Sequence, residues 1–218
     1  MSAVIFDVDG TLVDNNYLHT VAWSRACREL GNDREMAVLH RLIGMGGDQL
    51  VPALVGREMP ELNAAHERHM ANLQPESQPF RGAGELLAAI HARGVQVVVA
   101  TSAGAATAEL LLERVVPDRS VIHSVITNDD VATSKPAPDL VAVALGRVGV
   151  HPADAVMVGD TRWDVESAGR AGVRCVGLCS GGWSSCELEA AGAVAVYRDV
   201  GELLDRLQSS PIAVLGGA

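Results

Sequence analysis

The chain of 218 residues contains a single lysine, Lys135, among 17 basic residues. Acids outnumber the bases at 27, which leaves a formal charge of −10 and no basic stripe. A nucleic-acid backbone needs such a stripe, so no nucleic-acid partner is expected, and an anionic substrate has to meet a local cation. No apolar run approaches the roughly 18 residues of a membrane span, and the N-terminus lacks the basic start and apolar stretch of a signal peptide. The chain therefore reads as cytoplasmic, with no membrane partner. Its cysteines, Cys27, Cys175, Cys179 and Cys186, include no Cys-x-x-Cys pair and no histidine at zinc-binding spacing, so free thiols are expected. Repeats and low-complexity tracts are absent too. A hydrophobic fraction of 48% with 20% charged residues describes a globular chain with a sizeable core, either one large domain or a core with a smaller insert.

The apolar run Ala3-Val4-Ile5-Phe6 leads directly into Asp7-Val8-Asp9-Gly10-Thr11. A short buried strand ending on acids and a glycine is the pattern of a strand that delivers a site. Two residues apart, Asp7 and Asp9 lean to one face if strand geometry continues, which suits a metal and acid–base work. Two solvated acids opening a turn at Gly10 is the plainer alternative.

Downstream of Asp14 the pattern becomes helical. Leu18, Ala22, Ala26 and Leu30 recur at four-residue spacing up to Gly31, and further helices are expected at Glu35–Ile43, Asp48–Val55 and Pro60–Leu73. No strand is evident from Asn16 to Gln78, and Pro75–Pro79 reads as a return hinge. Residues 16–78 thus form an all-helical insert, and residues 1–15 with 79–218 form the core. In the core, Val-rich strands at Val95–Ala100, Val121–Ile126, Ala155–Val158, Val173–Leu178 and Ala193–Val196 alternate with helices at Gly84–Arg93, Ala105–Val115, Pro138–Val148, Asp164–Ala171 and Asp199–Leu207. Such alternation indicates an α/β fold, a doubly wound and mostly parallel Rossmann-like sheet covered on both faces. Pro211–Ala218 is expected as a loose tail or a light covering strand.

Ligands of open parallel sheets sit at the carboxyl ends of the strands. Asp7 and Asp9, Thr101-Ser102, the region of Lys135, and Gly159-Asp160-Thr161 all fall at such ends or beside them. Thr101 and Ser102 precede a helix start and suit either an N-cap or a phosphate corner of free backbone N–H groups. Lys135 lies in Ser134-Lys135-Pro136-Ala137-Pro138-Asp139, where two prolines fix the backbone. Its compact ammonium can meet a phosphoryl oxygen and a carboxylate together. Asp160, with Asp7, can offer oxygen ligands to Mg²⁺, and Asp164 is either a weaker ligand or a helix N-cap.

In order and context, Asp7-Val8-Asp9-Gly10-Thr11, Thr101, Lys135 and Gly159-Asp160-Thr161-Arg162-Trp163-Asp164 resemble the four motifs of the haloacid dehalogenase-like hydrolase superfamily. The helical insert matches the position of that family's first-type cap, and Asp14–Trp23 is similar to the cap entry of the phosphoglycolate phosphatase and β-phosphoglucomutase branch. The resemblance implies a Mg²⁺-dependent phosphatase acting on a small phosphorylated metabolite, as a monomer or homodimer. Asp7 would be the nucleophile that forms an aspartyl-phosphate, and Asp9 the acid and base with its backbone carbonyl on the metal. Thr101, Ser102 and Lys135 would hold the phosphoryl oxygens, Lys135 would keep Asp7 ionised, and Asp160 would complete the metal ligands. His19 would hydrogen-bond Asp9 or merely sit at a helix N-terminus. The Gly44–Gln49 loop, with Gly46 and Asp48, would approach the substrate or simply connect two helices, while Trp23 packs.

Departures narrow the choice. Asp9 sets the chain apart from true dehalogenases, and a cap without lysine sets it apart from phosphonoacetaldehyde hydrolases. Mutases resembling it carry an arginine in the cap loop for a second phosphate, where this chain reads Gly44-Met45-Gly46-Gly47-Asp48, leaving Arg41 or Arg57 as substitutes. They also carry an extra acid where this chain has Gly159. A phosphosugar mutase and a non-catalytic protein that binds phosphate and Mg²⁺ remain as alternatives.

Overall fold

The computed structural model describes residues 1–215. In chain order the elements are β1 (Ala3–Phe6), β2 (Val13–Asp14), α1 (Asn16–Glu29), α2 (Met36–His40), α3 (Gly47–Val55), α4 (Pro60–Leu73), β3 (Gln78–Pro79), α5 (Ala83–His91), β4 (Gln96–Ala100) and α6 (Ala105–Val115). They continue with β5 (Ser124–Ile126), α7 (Asp139–Val148), β6 (Ala155–Gly159), α8 (Arg162–Arg170), β7 (Arg174–Leu178), α9 (Ser185–Ala191), β8 (Ala195–Tyr197) and α10 (Val200–Asp205). Six strands pair in the order β5-β4-β1-β6-β7-β8, and every pairing is parallel. From β1 the chain builds outward through β4 and β5, then crosses back to build through β6, β7 and β8. The reversal lies at β1, whose neighbours are β4 and β6, so three sequence-distant strand ends are placed side by side.

Both faces of the sheet are covered, which is why its strands are apolar without alternation. Val4, Phe6, Val97, Val99, Val156 and Val158 point to one layer, filled by Leu86, Leu87 and Ile90 of α5, Leu111 and Leu112 of α6, and Leu203 of α10. Ile5, Val98, Ala155 and Met157 point to the other, filled by Leu140 and Val141 of α7, Val165 and Ala168 of α8, and Leu188 of α9. The expected α/β architecture is therefore present, with a parallel sheet between two helical layers.

Helices α1 to α4 lie between β2 and β3, which pair antiparallel where the chain leaves and rejoins the sheet layers. The pairing places Gln78–Pro79 in a strand at the return hinge. These helices enclose a separate cluster that includes Trp23, Ala26, Leu39, Leu50, Val51 and Leu62. They dock on the strand ends through Arg41, which pairs with Glu187 and lies over the Trp183 ring at 4.3 Å. Trp163 Nε1 also donates to the Arg41 carbonyl at 3.1 Å.

The differences from the sequence expectations are local. Helix α9 has no counterpart among the expected elements; Ser184 and Glu187 cap it reciprocally, and that Ser-x-x-Glu spacing was its signal. Strand β5 is shorter than expected because Arg119–Val121 forms a 3₁₀ turn ahead of it, and α10 stops at Asp205 with another such turn behind it. Residues 211–215 are turns rather than a covering strand or a loose tail, since Ile212 and Leu215 are buried against the α5 layer; the rest of the expected tail lies outside the described residues. Among the described residues no helix is long and apolar enough to cross a membrane.

Candidate active site

Asp7 follows β1 directly, and its backbone N–H donates to the Val158 carbonyl of β6 at 3.0 Å. Strand β1 ends at Phe6, so the strand alternation expected to aim Asp7 and Asp9 alike does not continue through them. A tight turn takes over, with the N–H groups of Leu12 and Val13 both donating to the Val8 carbonyl and Gly10 at a φ of 75°. The two acids still line one cavity, of about 840 Å³, and meet different partners in it.

Asp7 Oδ1 accepts from Lys135 Nζ at 2.6 Å. The same ammonium donates to Asp164 Oδ1 at 2.8 Å, and all three side chains are buried. Lys135 reaches this point from the loop before α7, where Ser134 N–H donates to Asp48 and Ser134 Oγ to Asn128. Asp164 is the third residue of α8, and its Oδ2 accepts from Thr161 N–H at 3.0 Å. Thr161 is therefore the N-cap and Asp164 its capping-box partner, which removes the N-cap alternative for Asp164.

Asp160, at the end of β6, accepts from Thr11 Oγ1 and Asn16 Nδ2, both at 2.7 Å. A Cβ on Gly10 or Gly181 would collide with the Asp160 carboxylate, so both glycines are required by packing. Carboxylate oxygens of Asp7, Asp160 and Asp164 lie within 4.8 Å of one another. The side-chain cluster thus contains Asp164 in place of Asp9, whose side chain turns toward Asn15 Nδ2 at 2.5 Å and His19 Nε2 at 3.4 Å. His19 meets Asp9 as well as lying in the first turn of α1.

Thr101 is buried at the end of β4, where its Oγ1 accepts from Ala103 N–H at 3.1 Å. It is not a helix N-cap; Gly104 holds that position for α6. Ser102, Ala103 and Gly104 line the cavity, and Ser102 Oγ is buried without a protein partner. Gly46 and Asp48 line it as well, but their closest neighbours are protein atoms. A Cβ on Gly46 would collide with Ser134, and Asp48 Oδ2 accepts from Ser134 N–H and Gln49 Nε2, both at 3.0 Å. Asn15, Asn16, Gly181 and His66 complete the surroundings and were not singled out from the sequence.

The model of the haloacid dehalogenase-like hydrolases matches residues 4–178. The chain belongs to the haloacid dehalogenase-like hydrolases. It is 34% identical over 220 residues to a phosphoglycolate phosphatase of Rhodospirillum rubrum, an overlap covering 94% of this chain and 90% of that protein. It is 25% identical over 195 residues to a beta-phosphoglucomutase of Bacillus subtilis, covering 83% and 84%. Among solved structures, a hydrolase from Pseudomonas syringae matches with a TM-score of 0.90 at 34% identity, covering 96% of this chain and 99% of that one.

In this hydrolase the site is short of positive charge. Three buried carboxylates face one ammonium, so full ionisation would leave two negative charges without a counter-charge. Burial pushes Asp7 up to about 7 against the pull of Lys135, and Asp164 and Asp9 add to the rise. Lys135 does favour the ionised form of Asp7, as expected, but burial outweighs it in the ion-free site, and Asp164 shares the ammonium. Burial, with Asp164 and Asp7, pushes Asp160 well above the usual carboxylate range. Burial also acts against Lys135, yet Asp164 and Asp7 outweigh it and keep the ammonium charged. At Asp9 burial is outweighed by the contacts of His19 and Asn15, which hold that carboxyl below its ordinary value. An oxygen-rich cluster with this excess of negative charge fits a divalent cation.

Asp7 and Asp160 bind protons more tightly folded than unfolded, so the ion-free protein loses stability as pH rises from the ordinary carboxylate range to about 7. A cation must expel those protons. Its affinity is expected to rise about tenfold per pH unit and per proton expelled, and the part of the rise due to Asp7 to level off above about pH 7. Calorimetric titration with Mg²⁺ across this range tests the point, and a pH-independent affinity contradicts it. Gly181→Ala, which displaces Asp160, is expected to weaken cation binding by about 10–100-fold with the circular dichroism spectrum unchanged. Undiminished binding would show that Asp160 does not depend on this glycine.

Proposed function

We propose that the protein is a Mg²⁺-dependent phosphatase that hydrolyses a small phosphorylated metabolite, of the phosphoglycolate or sugar-phosphate kind, through an aspartyl-phosphate on Asp7. What supports this most directly is the division of labour between the two carboxylates at the end of β1. The buried Lys135 ammonium donates to Asp7, whereas Asp9 accepts from Asn15 Nδ2 and lies 3.4 Å from His19 Nε2, so two carboxylates on one cavity meet different partners, as suits a nucleophile beside a general acid and base.

Asp7 attacks phosphorus while the bond to the leaving oxygen breaks, and Asp9 gives that oxygen a proton. Asp9 then takes a proton from the water that attacks the aspartyl-phosphate, which releases phosphate and restores Asp7. Lys135 has one N–H beyond those given to Asp7 and Asp164, and it meets a phosphoryl oxygen. The hydroxyls of Thr101 and Ser102 meet the other phosphoryl oxygens. Asp7, Asp160 and the Asp9 carbonyl, with Asp164 close by, would hold Mg²⁺, which would supply charge that offsets the approach of one anion to another.

Residues 16–78 act as a cap over the core formed by residues 1–15 and 79–218, and set the specificity of the cavity. Asn63 Oδ1 and Gln74 Nε2, among its lining residues, are buried without a protein partner and suit the hydroxyls of a substrate. Hydrolysis is favoured over mutase chemistry because neither Arg41 nor Arg57 lines the cavity, and Arg41 is engaged by Glu187 and Trp183. Among the described residues the one arginine in the lining, Arg114, belongs to α6 and donates to the Ser77 carbonyl. A second phosphate therefore lacks a cation on the helical segment.

Phosphate release from a panel of phosphorylated metabolites, with and without Mg²⁺, tests this reading. Asp7→Asn is expected to lower release by about 10³-fold or more with the fold intact. Unimpaired turnover in that variant would remove Asp7 as the nucleophile. A hexose 1-phosphate supplied with a bisphosphate primer should yield mainly free phosphate; accumulation of the isomer would identify a mutase.

A further inference from the structure

His66, on α4, lies in the cavity wall and takes no part in the chemistry described so far. Its Nε2 is 3.2 Å from His19 Nδ1, and His19 Nε2 is in turn 3.4 Å from Asp9 Oδ1. The His66 ring stacks on Trp23 with centroids 4.1 Å apart and planes 12° apart. Trp23 is one helical turn beyond His19 on α1 and is buried in the helical cluster, so the plane of His66 is fixed by packing. We infer that His66 is a positioning residue that acts through His19. It selects the His19 tautomer that presents an N–H to one oxygen of Asp9, and so leaves the other oxygen to carry the proton for the leaving group. The inference rests on the phosphatase reading above for its catalytic consequence.

The tautomer follows from counting hydrogens. Two imidazole nitrogens 3.2 Å apart share one hydrogen, carried by either ring. If His19 carried its hydrogen on Nδ1 alone, the nitrogen facing Asp9 would turn a lone pair toward the carboxylate. With the hydrogen on His66 Nε2, His19 Nδ1 accepts and its Nε2–H points at Asp9 Oδ1. Burial, followed by the neighbouring His19, holds His66 well below the usual imidazole value and keeps that ring neutral. Asn15 Nδ2 also donates to Asp9 Oδ1. Both donors converge on Oδ1, and among the described residues no side chain hydrogen-bonds Oδ2. Oδ2 is therefore the oxygen left free to deliver a proton to the leaving alkoxide as the P–O bond breaks and to recover one from the attacking water. Because α4 and α1 belong to the helical segment and Asp9 to the sheet end, this pair links the cavity wall to the acid.

Two variants separate the hydrogen bond from the packing. His66→Phe keeps a ring against Trp23 without the N–H, and His66→Gln keeps an N–H donor. Alkyl phosphates need a proton on the leaving oxygen, whereas p-nitrophenyl phosphate releases a stable phenolate. His66→Phe should therefore lower kcat on an alkyl phosphate at least about tenfold more than on p-nitrophenyl phosphate, with KM little changed. His66→Gln should restore most of the difference, and His66→Phe should add nothing in a His19→Ala background. Equal losses on both substrates, a change confined to KM, or additivity with His19→Ala would overturn the proposal. Nitrogen-15 NMR of the histidine rings gives a readout apart from turnover: His19 should be the Nε2–H tautomer in the parent and lose that preference in His66→Phe. A parent protein that releases no phosphate from any ester would count against the phosphatase reading alone. An Nδ1–H tautomer of His19 in the parent would count against this inference alone.

Discussion

A buried ammonium shared between two aspartates, with a third aspartate close by, is the interaction around which this molecule is arranged. Removing ionised groups from water costs several kcal/mol each, and a buried cluster survives only where hydrogen bonds and counter-charges offset that cost. Thr11, Asn16 and Thr161 supply the hydrogen bonds, and Lys135 supplies the one internal counter-charge. The remaining negative charge fits a divalent cation, and the same excess that burdens the ion-free site gives the ion its binding energy. The acidic balance of the chain and its single lysine meet at this point.

The requirement to bury this cluster extends into the backbone around it. Gly10 and Gly181 stand where any side chain would collide with Asp160, and Gly159 stands where one would collide with Asp164. Gly159 thus has a packing reason of its own. The parallel sheet supplies the frame, since reversal of the winding at β1 makes the ends of β4, β1 and β6 neighbours. The helical segment closes the other side through Asp48 on Ser134 and Arg41 on Glu187 and Trp183. Lys135 adjoins Ser134 in sequence, so the docking of the helices and the placement of the ammonium share one loop.

Most of the architecture was legible in the sequence because the signals were strong and local. Val-rich strands separated by amphipathic stretches specify a parallel sheet, and α4 and α6 were expected over the ranges they occupy. Convergence of Asp7, Lys135 and Asp160 was legible because strand ends of such sheets collect ligands. What escaped detection depends on contacts across long sequence distances. Asn16 meets Asp160, Gly181 makes room for it, and His66 meets His19, and no local pattern marks these residues. The side-chain direction of Asp9 was misjudged for a related reason: strand geometry ended one residue before Asp7, and a turn replaced the alternation. Asp164 was left between a weaker ligand and a helix N-cap, and the observed bonds decide the cap in favour of Thr161.

The central claim is that one phosphoryl group is received between Asp7, Lys135 and a divalent cation held by Asp7 and Asp160. A crystal structure of the protein with Mg²⁺ and a planar phosphoryl mimic such as aluminium fluoride tests it most directly. The account predicts the mimic in line with an Asp7 carboxylate oxygen and in contact with Lys135 Nζ, with the ion held by Asp7 and Asp160. A mimic bound away from Asp7, or an ion that does not touch Asp160, would contradict it.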